Sequence, residues 1–128
     1  MANKIFFDVQ SANPEVKIIA GSFAPNGSSA IAATSNEGAG WSVERSGAGQ
    51  YTVTLDQAYP ALISCTLTLA LNAVNDSILQ LGAIDVSSGK TIVINHRDIS
   101  DAAAADIAAN ANNRVHFCLV LRNTSLKK

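Results

Sequence analysis

Charge is scarce in this chain. Only 15% of its 128 residues are Asp, Glu, Lys or Arg, nine basic against ten acidic, for a formal net charge of −1. Soluble domains usually carry about 25%. A nucleic-acid binder needs a basic stripe with aromatics between, because phosphate neutralisation supplies most of the affinity. The longest basic cluster here is the terminal pair Lys127-Lys128, and aromatics make up 5% of the chain. No nucleic-acid partner is expected. Cysteine is nearly absent as well: Cys65 and Cys118 are too few for a disulfide framework and lack CxxC spacing. Each is expected to pack as a small buried hydrophobe, reduced in a cytosolic setting.

Long hydrophobic runs are missing too. Tyr59 to Asn75 and Ala102 to Asn113 are the longest nearly uncharged stretches, and both are broken by Ser, Thr, Asn or Asp. Neither offers the roughly 20 apolar residues of a membrane span, so a soluble protein with no membrane partner is expected. Met1-Ala2-Asn3-Lys4 runs directly into Ile5-Phe6-Phe7-Asp8, without the basic segment, apolar core and cleavage site of a secretory leader.

Catalytic and metal motifs are absent in turn. There is no GxSxG elbow and no GxxxxGK[ST] loop; Gly38-Ala39-Gly40 and Gly47-Ala48-Gly49 start like a dinucleotide fingerprint but lead into strands. His96 and His116 lie on different elements without HxH, HxxxH or HExxH spacing, so no metal or cofactor is expected. Asp76, Asp85, Asp98, Asp101 and Asp106 lack the DxDxDG order of a calcium loop and read as turn aspartates. Asn95-His96-Arg97-Asp98 is the densest polar cluster; it could seat a general base beside a carboxylate, but reads more simply as a solvated strand-end loop. A sugar site would want aromatic platforms, and Trp41, at the start of a strand, reads as core. The chain is not expected to be an enzyme.

What is present is alternation. Apolar residues make up 48% of a chain of one domain's length, 1–128, enough to bury about two-thirds of its unfolded surface without metal or disulfide. Tyr51-Thr52-Val53-Thr54-Leu55 puts Tyr51, Val53 and Leu55 on one face. Leu62 to Leu71 alternates for ten residues and places Ile63, Cys65, Leu67, Leu69 and Leu71 inward. Val16 to Phe23, Trp41 to Arg45, Ser77 to Asp85, Thr91 to Asn95 and Arg114 to Arg122 read as further strands, with Ala30 to Ala33 as a short one. Turn residues separate them, as in Asn72-Ala73-Val74-Asn75-Asp76 and Ser87-Ser88-Gly89-Lys90. Strands at intervals of roughly 8–12 residues predict an all-β fold, an antiparallel β-sandwich of jelly-roll-like type. One segment departs from the pattern. Ser100 to Asn110 is alanine-rich with a serine to cap it and Asp101 near its positive end, which predicts a short helix at the sandwich edge or against a partner.

Surface is then the remaining resource for function. In the last strand Val115, Phe117, Leu119 and Leu121 share one face, while the other holds His116, Cys118 and Val120, less polar than a solvated face should be. A second layer or a neighbouring subunit is expected to cover it. Residues 1–14 read either as a first strand or as an N-terminal arm, and Ile5, Phe6 and Phe7, with Ile107 of the alanine-rich segment, are the candidate partner contacts.

Gly47-Ala48-Gly49-Gln50-Tyr51-Thr52-Val53-Thr54-Leu55, then Tyr59-Pro60-Ala61, then Asn113 to Ser125 with its apolar strand and Arg122-Asn123-Thr124 tail, together resemble small structural proteins of tailed bacteriophages. The resemblance runs from Gly40 onward. It implies a homo-oligomer, dimer or trimer, that decorates or cements a capsid by binding the major capsid protein lattice. Such a protein would be assembled in the host cytoplasm and reside on the virion surface. Related patterns occur in tail-fibre and receptor-binding modules, so a phage carbohydrate-binding module is the alternative expectation. The resemblance carries over no catalytic residue.

Overall fold

The computed structural model describes residues 15–123, in which seven strands form two antiparallel sheets. The strands are β1 (Val16–Phe23), β2 (Trp41–Gly47), β3 (Gln50–Leu55), β4 (Ala61–Ala70), β5 (Ser77–Asp85), β6 (Thr91–Asp98) and β7 (Arg114–Arg122). One sheet has the order β1-β7-β4 and the other β2-β3-β6-β5. This is the sandwich that the alternation predicts; among the described residues it has one strand fewer than the eight of a jelly roll. Residues 5–7 lie outside the described residues.

Alternation decides which side chains meet between the sheets. Tyr51, Val53 and Leu55 of β3, Ile92 and Ile94 of β6, and Val115, Phe117, Leu119 and Leu121 of β7 are buried in a single core, as the period of two requires. Aromatic contacts bind the two layers. Phe23 of β1 lies 5.5 Å from Tyr51 of β3, and Trp41 of β2 meets Phe117 of β7 edge to face at 4.8 Å. Trp41 is thus core, as its position suggests. Gly21 is what admits it: a Cβ there would stand 2.4 Å from the indole ring.

Local chemistry closes the hairpins. Ala48-Gly49 turns β2 into β3, with Gly49 at φ +61°. The Asp85 carboxylate accepts the Ser88 and Gly89 amides and so ties the turn from β5 to β6, while Lys90 takes the left-handed conformation at φ 61°.

In β4 the inward phase changes partway along the strand. A bulge between Leu62 and Ser64 sets an extra residue against β7, so Leu62 packs on the core and Ile63 is 56% exposed. Cys65, Leu67, Leu69 and Leu71 pack inward as expected, each half-buried because β4 is an edge strand.

Three local expectations are corrected. Ala30 to Ala33 forms no strand: Asn26 Nδ2 donates to the Ala30 carbonyl, and the Ser35 and Asn36 amides turn back on Ala32 and Ala33 to make a 3-10 turn at Ala33–Ser35. Asn95-His96-Arg97-Asp98 is no solvated loop. It is the end of β6, paired with β5, and His96 is 5% exposed. Ser100 to Asn110 is not helical. Its backbone bonds outward, since Ala103 O accepts from Asp98 N, Ala104 bridges Arg97, Ala105 N reaches His96 O, and Ile107 N donates to Tyr51 Oη. Ala102 at φ 58° breaks any helical path, at a cost of about 1 kcal/mol that these tertiary bonds outweigh. The segment is an extended strap across the end of the four-stranded sheet.

Candidate functional site

Ile107, expected at an edge or against a partner, lies inside the chain's own core at 2% exposure. The strap that carries it is held by ionic and backbone contacts. Asp106 accepts from Arg45 Nε at 2.9 Å, from Arg45 Nη2 at 2.8 Å and from the Gly49 amide at 2.9 Å. The Arg45 guanidinium, against the opposing effect of burial, holds the Asp106 carboxyl below its ordinary value. Gly49 also permits the close approach of the strap, because a Cβ there would lie 2.7 Å from the Ala105 backbone. The rest of the polar cluster serves the same end: Arg97 Nη1 donates to Ala102 O, and Asp98 accepts the Ser100 amide and hydroxyl. Those two bonds hold the Asp98 carboxyl low.

His96 adjoins a cavity of about 180 Å³ whose wall includes Asn72, Ser77, Asp106, Ile107 and Asn113. A histidine beside a carboxylate in a pocket is the arrangement an enzyme would use, and the bonds here decide what it can do. His96 Nδ1 meets the Ala105 carbonyl, which can only accept, so Nδ1 carries a proton and donates. Nε2 is buried without a partner among the described residues. Both Asp106 oxygens are engaged by Arg45 and Gly49, and the Ser77 hydroxyl bonds Asn75 Oδ1 instead of the imidazole. No nucleophile, base and orienting carboxylate are therefore linked in series here. Among the described residues no group of three His, Cys, Asp or Glu side chains could hold a metal ion, and no helix is long and apolar enough to cross a membrane.

A different surface stands out on the three-stranded sheet. Register across it aligns Ile18 with Val120 and Ser64, then Ala20 with Cys118 and Thr66, then Ser22 with His116 and Thr68. By the period of two they share the side of the sheet opposite Ile19, Phe23, Cys65, Leu67, Val115, Phe117 and Leu119, and form the outer face, where Ser22 is buried beneath Arg114. These three rows contain no Asp, Glu, Lys or Arg. Ile18 is 45% exposed, and Cys118 and Val120 are half-buried. Arg114 and Arg122 stand at the two ends of β7. Arg114 is tied down over Ser22, donating to its hydroxyl and to the Ser35 carbonyl. The weak polarity of the β7 half was legible from its residue types, whereas the β1 half needed the register.

The two cysteines are register neighbours on opposite sides of this sheet. Cys65 pairs with Leu119 and packs inward, while Cys118 pairs with Thr66 and points outward, so the Cβ vectors diverge and no disulfide can form. Burial, with Cys118 close by, pushes the Cys65 thiol up to about 11.

No protein-family model, curated protein or solved structure matches this chain.

Proposed function

We propose that this chain is a virion structural protein that decorates or cements a bacteriophage capsid by laying the outer face of its three-stranded sheet on the major capsid protein lattice. The observation that supports the reading is the face itself, three uncharged rows on a rigid frame. Charge depletion marks the centre of protein interfaces, and a sandwich presents such a face without deforming, because its strands are cross-linked laterally by backbone bonds. The resemblance of Gly47 to Leu55 and of Asn113 to Ser125 to phage structural proteins supplies the partner. A cement works by many modest contacts spread over neighbouring capsomers, and the reading asks no chemistry of His96.

The test compares heads assembled with and without the protein. Heads lacking it are expected to release their genome at a lower temperature. Val120→Lys, which charges the centre of the face without touching the core, is expected to leave a folded protein that no longer occupies heads. Unchanged genome retention, or recovery of the protein in tails with affinity for bacterial surface glycans, would overturn the reading and favour a receptor-binding module.

A further inference from the structure

Among the described residues four strands lie at sheet edges, and three of them are bulged. Register shifts interrupt β2, β4 and β5, and a bulge twists an edge away from pairing with another chain. β1 pairs with β7 over its whole length without a shift. Its backbone phase is fixed at one end: Ser22 N donates to Glu37 O and Glu37 N to Ser22 O, on the side away from β7. By the period of two, the amide and carbonyl groups of Ala20, Ile18 and Val16 point to that same free side. Beyond Glu37 the covering chain, through Ala39 and Gly40, lines the edge but among the described residues makes no further backbone bond to β1. Gly38, at φ +113°, lies over the Ala20 carbonyl, and past it the edge opens into a groove of about 400 Å³ walled by Gly40, Asp56, Gln57 and Tyr59. Among the described residues the Ile18 amide and carbonyl, the Ala20 amide and the Val16 carbonyl have no backbone partner.

Lys17 and Asp56 line the groove together, and both are exposed. The single ion pair among the described residues is Arg45 with Asp106, so these two charges are not paired with each other. A lysine on the inner side of an edge strand ordinarily discourages strand addition, because the incoming chain would cover an unpaired charge. A second copy removes that objection. In an antiparallel pairing centred on Ile18, the Ile18 of each copy bonds that of the other, each Ala20 amide reaches the other's Val16 carbonyl, and each Lys17 enters the groove that carries the other's Asp56.

We propose that the protein forms a two-fold dimer by edge-to-edge pairing of β1 with β1 of a second copy, with Lys17 and Asp56 as its reciprocal charge pair. The arrangement is isologous and closes after two copies. It fuses two three-stranded sheets into one of six strands and sets their uncharged outer faces side by side. It goes beyond the capsid reading and does not depend on it, since the pairing belongs to the free protein.

Sedimentation of the purified full chain tests this. The expected result is a species of twice the 13.3 kDa chain mass, weakened by salt. Ile18→Pro deletes an amide that bonds nothing among the described residues, so it is expected to yield a monomer with the wild-type thermal transition. Lys17→Glu is expected to weaken the dimer about tenfold, near 1.4 kcal/mol, and Lys17→Glu with Asp56→Lys to restore it. These two exposed positions keep the test valid if the proline variant does not fold. A wild-type monomer, a trimer, a dimer indifferent to Ile18→Pro, or a charge exchange without recovery would each overturn the proposal. None of these outcomes bears on whether the outer face binds capsids, which the head-occupancy test reads separately.

Discussion

Gly21 and Trp41 show how one missing methyl group sets a contact between layers. The indole fills the space over Gly21 and reaches Phe117 on the same sheet, so the glycine is selected by the ring above it and not by backbone conformation. Gly21→Ala is expected to cost about 1–3 kcal/mol through overpacking, read as a lower thermal midpoint with unchanged strand content by circular dichroism. Nothing local in Ala20-Gly21-Ser22 announces this partner, because Trp41 arrives from a different strand. His96 presents the converse case. Its identity was visible within a polar cluster, but its burial could not be, since the strap that covers it has no periodicity of its own. Ile107 misled for the same reason: a lone large apolar group in an alanine-rich run looks like a contact for something else until Tyr51 is found beneath it.

At the scale of elements, the strands were legible and the strap was not. β5 and β7 run over the residues that alternation indicates, and β3 needs only Gln50 added, because a strand with one buried face writes its period directly into residue order. The bulge in β4 was not legible, since a one-residue phase change leaves Leu62-Ile63 apolar on either reading. The strap failed in the other direction. Its alanines favour a helix by a fraction of a kcal/mol each, and bonds to β3 and β6 and to Arg45 override that preference. Asp106 is the central fastening. Asp106→Ala is expected to lower stability by about 1–2 kcal/mol at neutral pH, measured as a shift in the urea midpoint. Because folding lowers this carboxyl's pKa, its contribution is fully present above the ordinary carboxylate value and is lost as pH falls through the lowered one. The difference between wild type and variant should therefore shrink in acid; a constant difference down to low pH would remove the ionic account of the strap.

At the scale of the molecule, the two sheets divide the work unevenly. The four-stranded sheet turns Thr52, Thr54, Thr91 and Asn95 outward and carries the strap, whereas the three-stranded sheet leaves a face with three uncharged central rows and an unbulged edge. The pairing of β1 with β7 that creates this face joins residues near opposite ends of the sequence, which is why residue order showed only half of it. The divergent cysteines then act as built-in reporters. A thiolate is the species that alkylates, so Cys65, core-facing and held protonated to about pH 11, should resist iodoacetamide at pH 8, while Cys118 should react in the free protein. Any partner seated on the sheet would shield Cys118 and leave the slow labelling of Cys65 as an internal clock for unfolding. Mass spectrometry of native particles could thus distinguish an occupied wall from a bare one without a mutation being made.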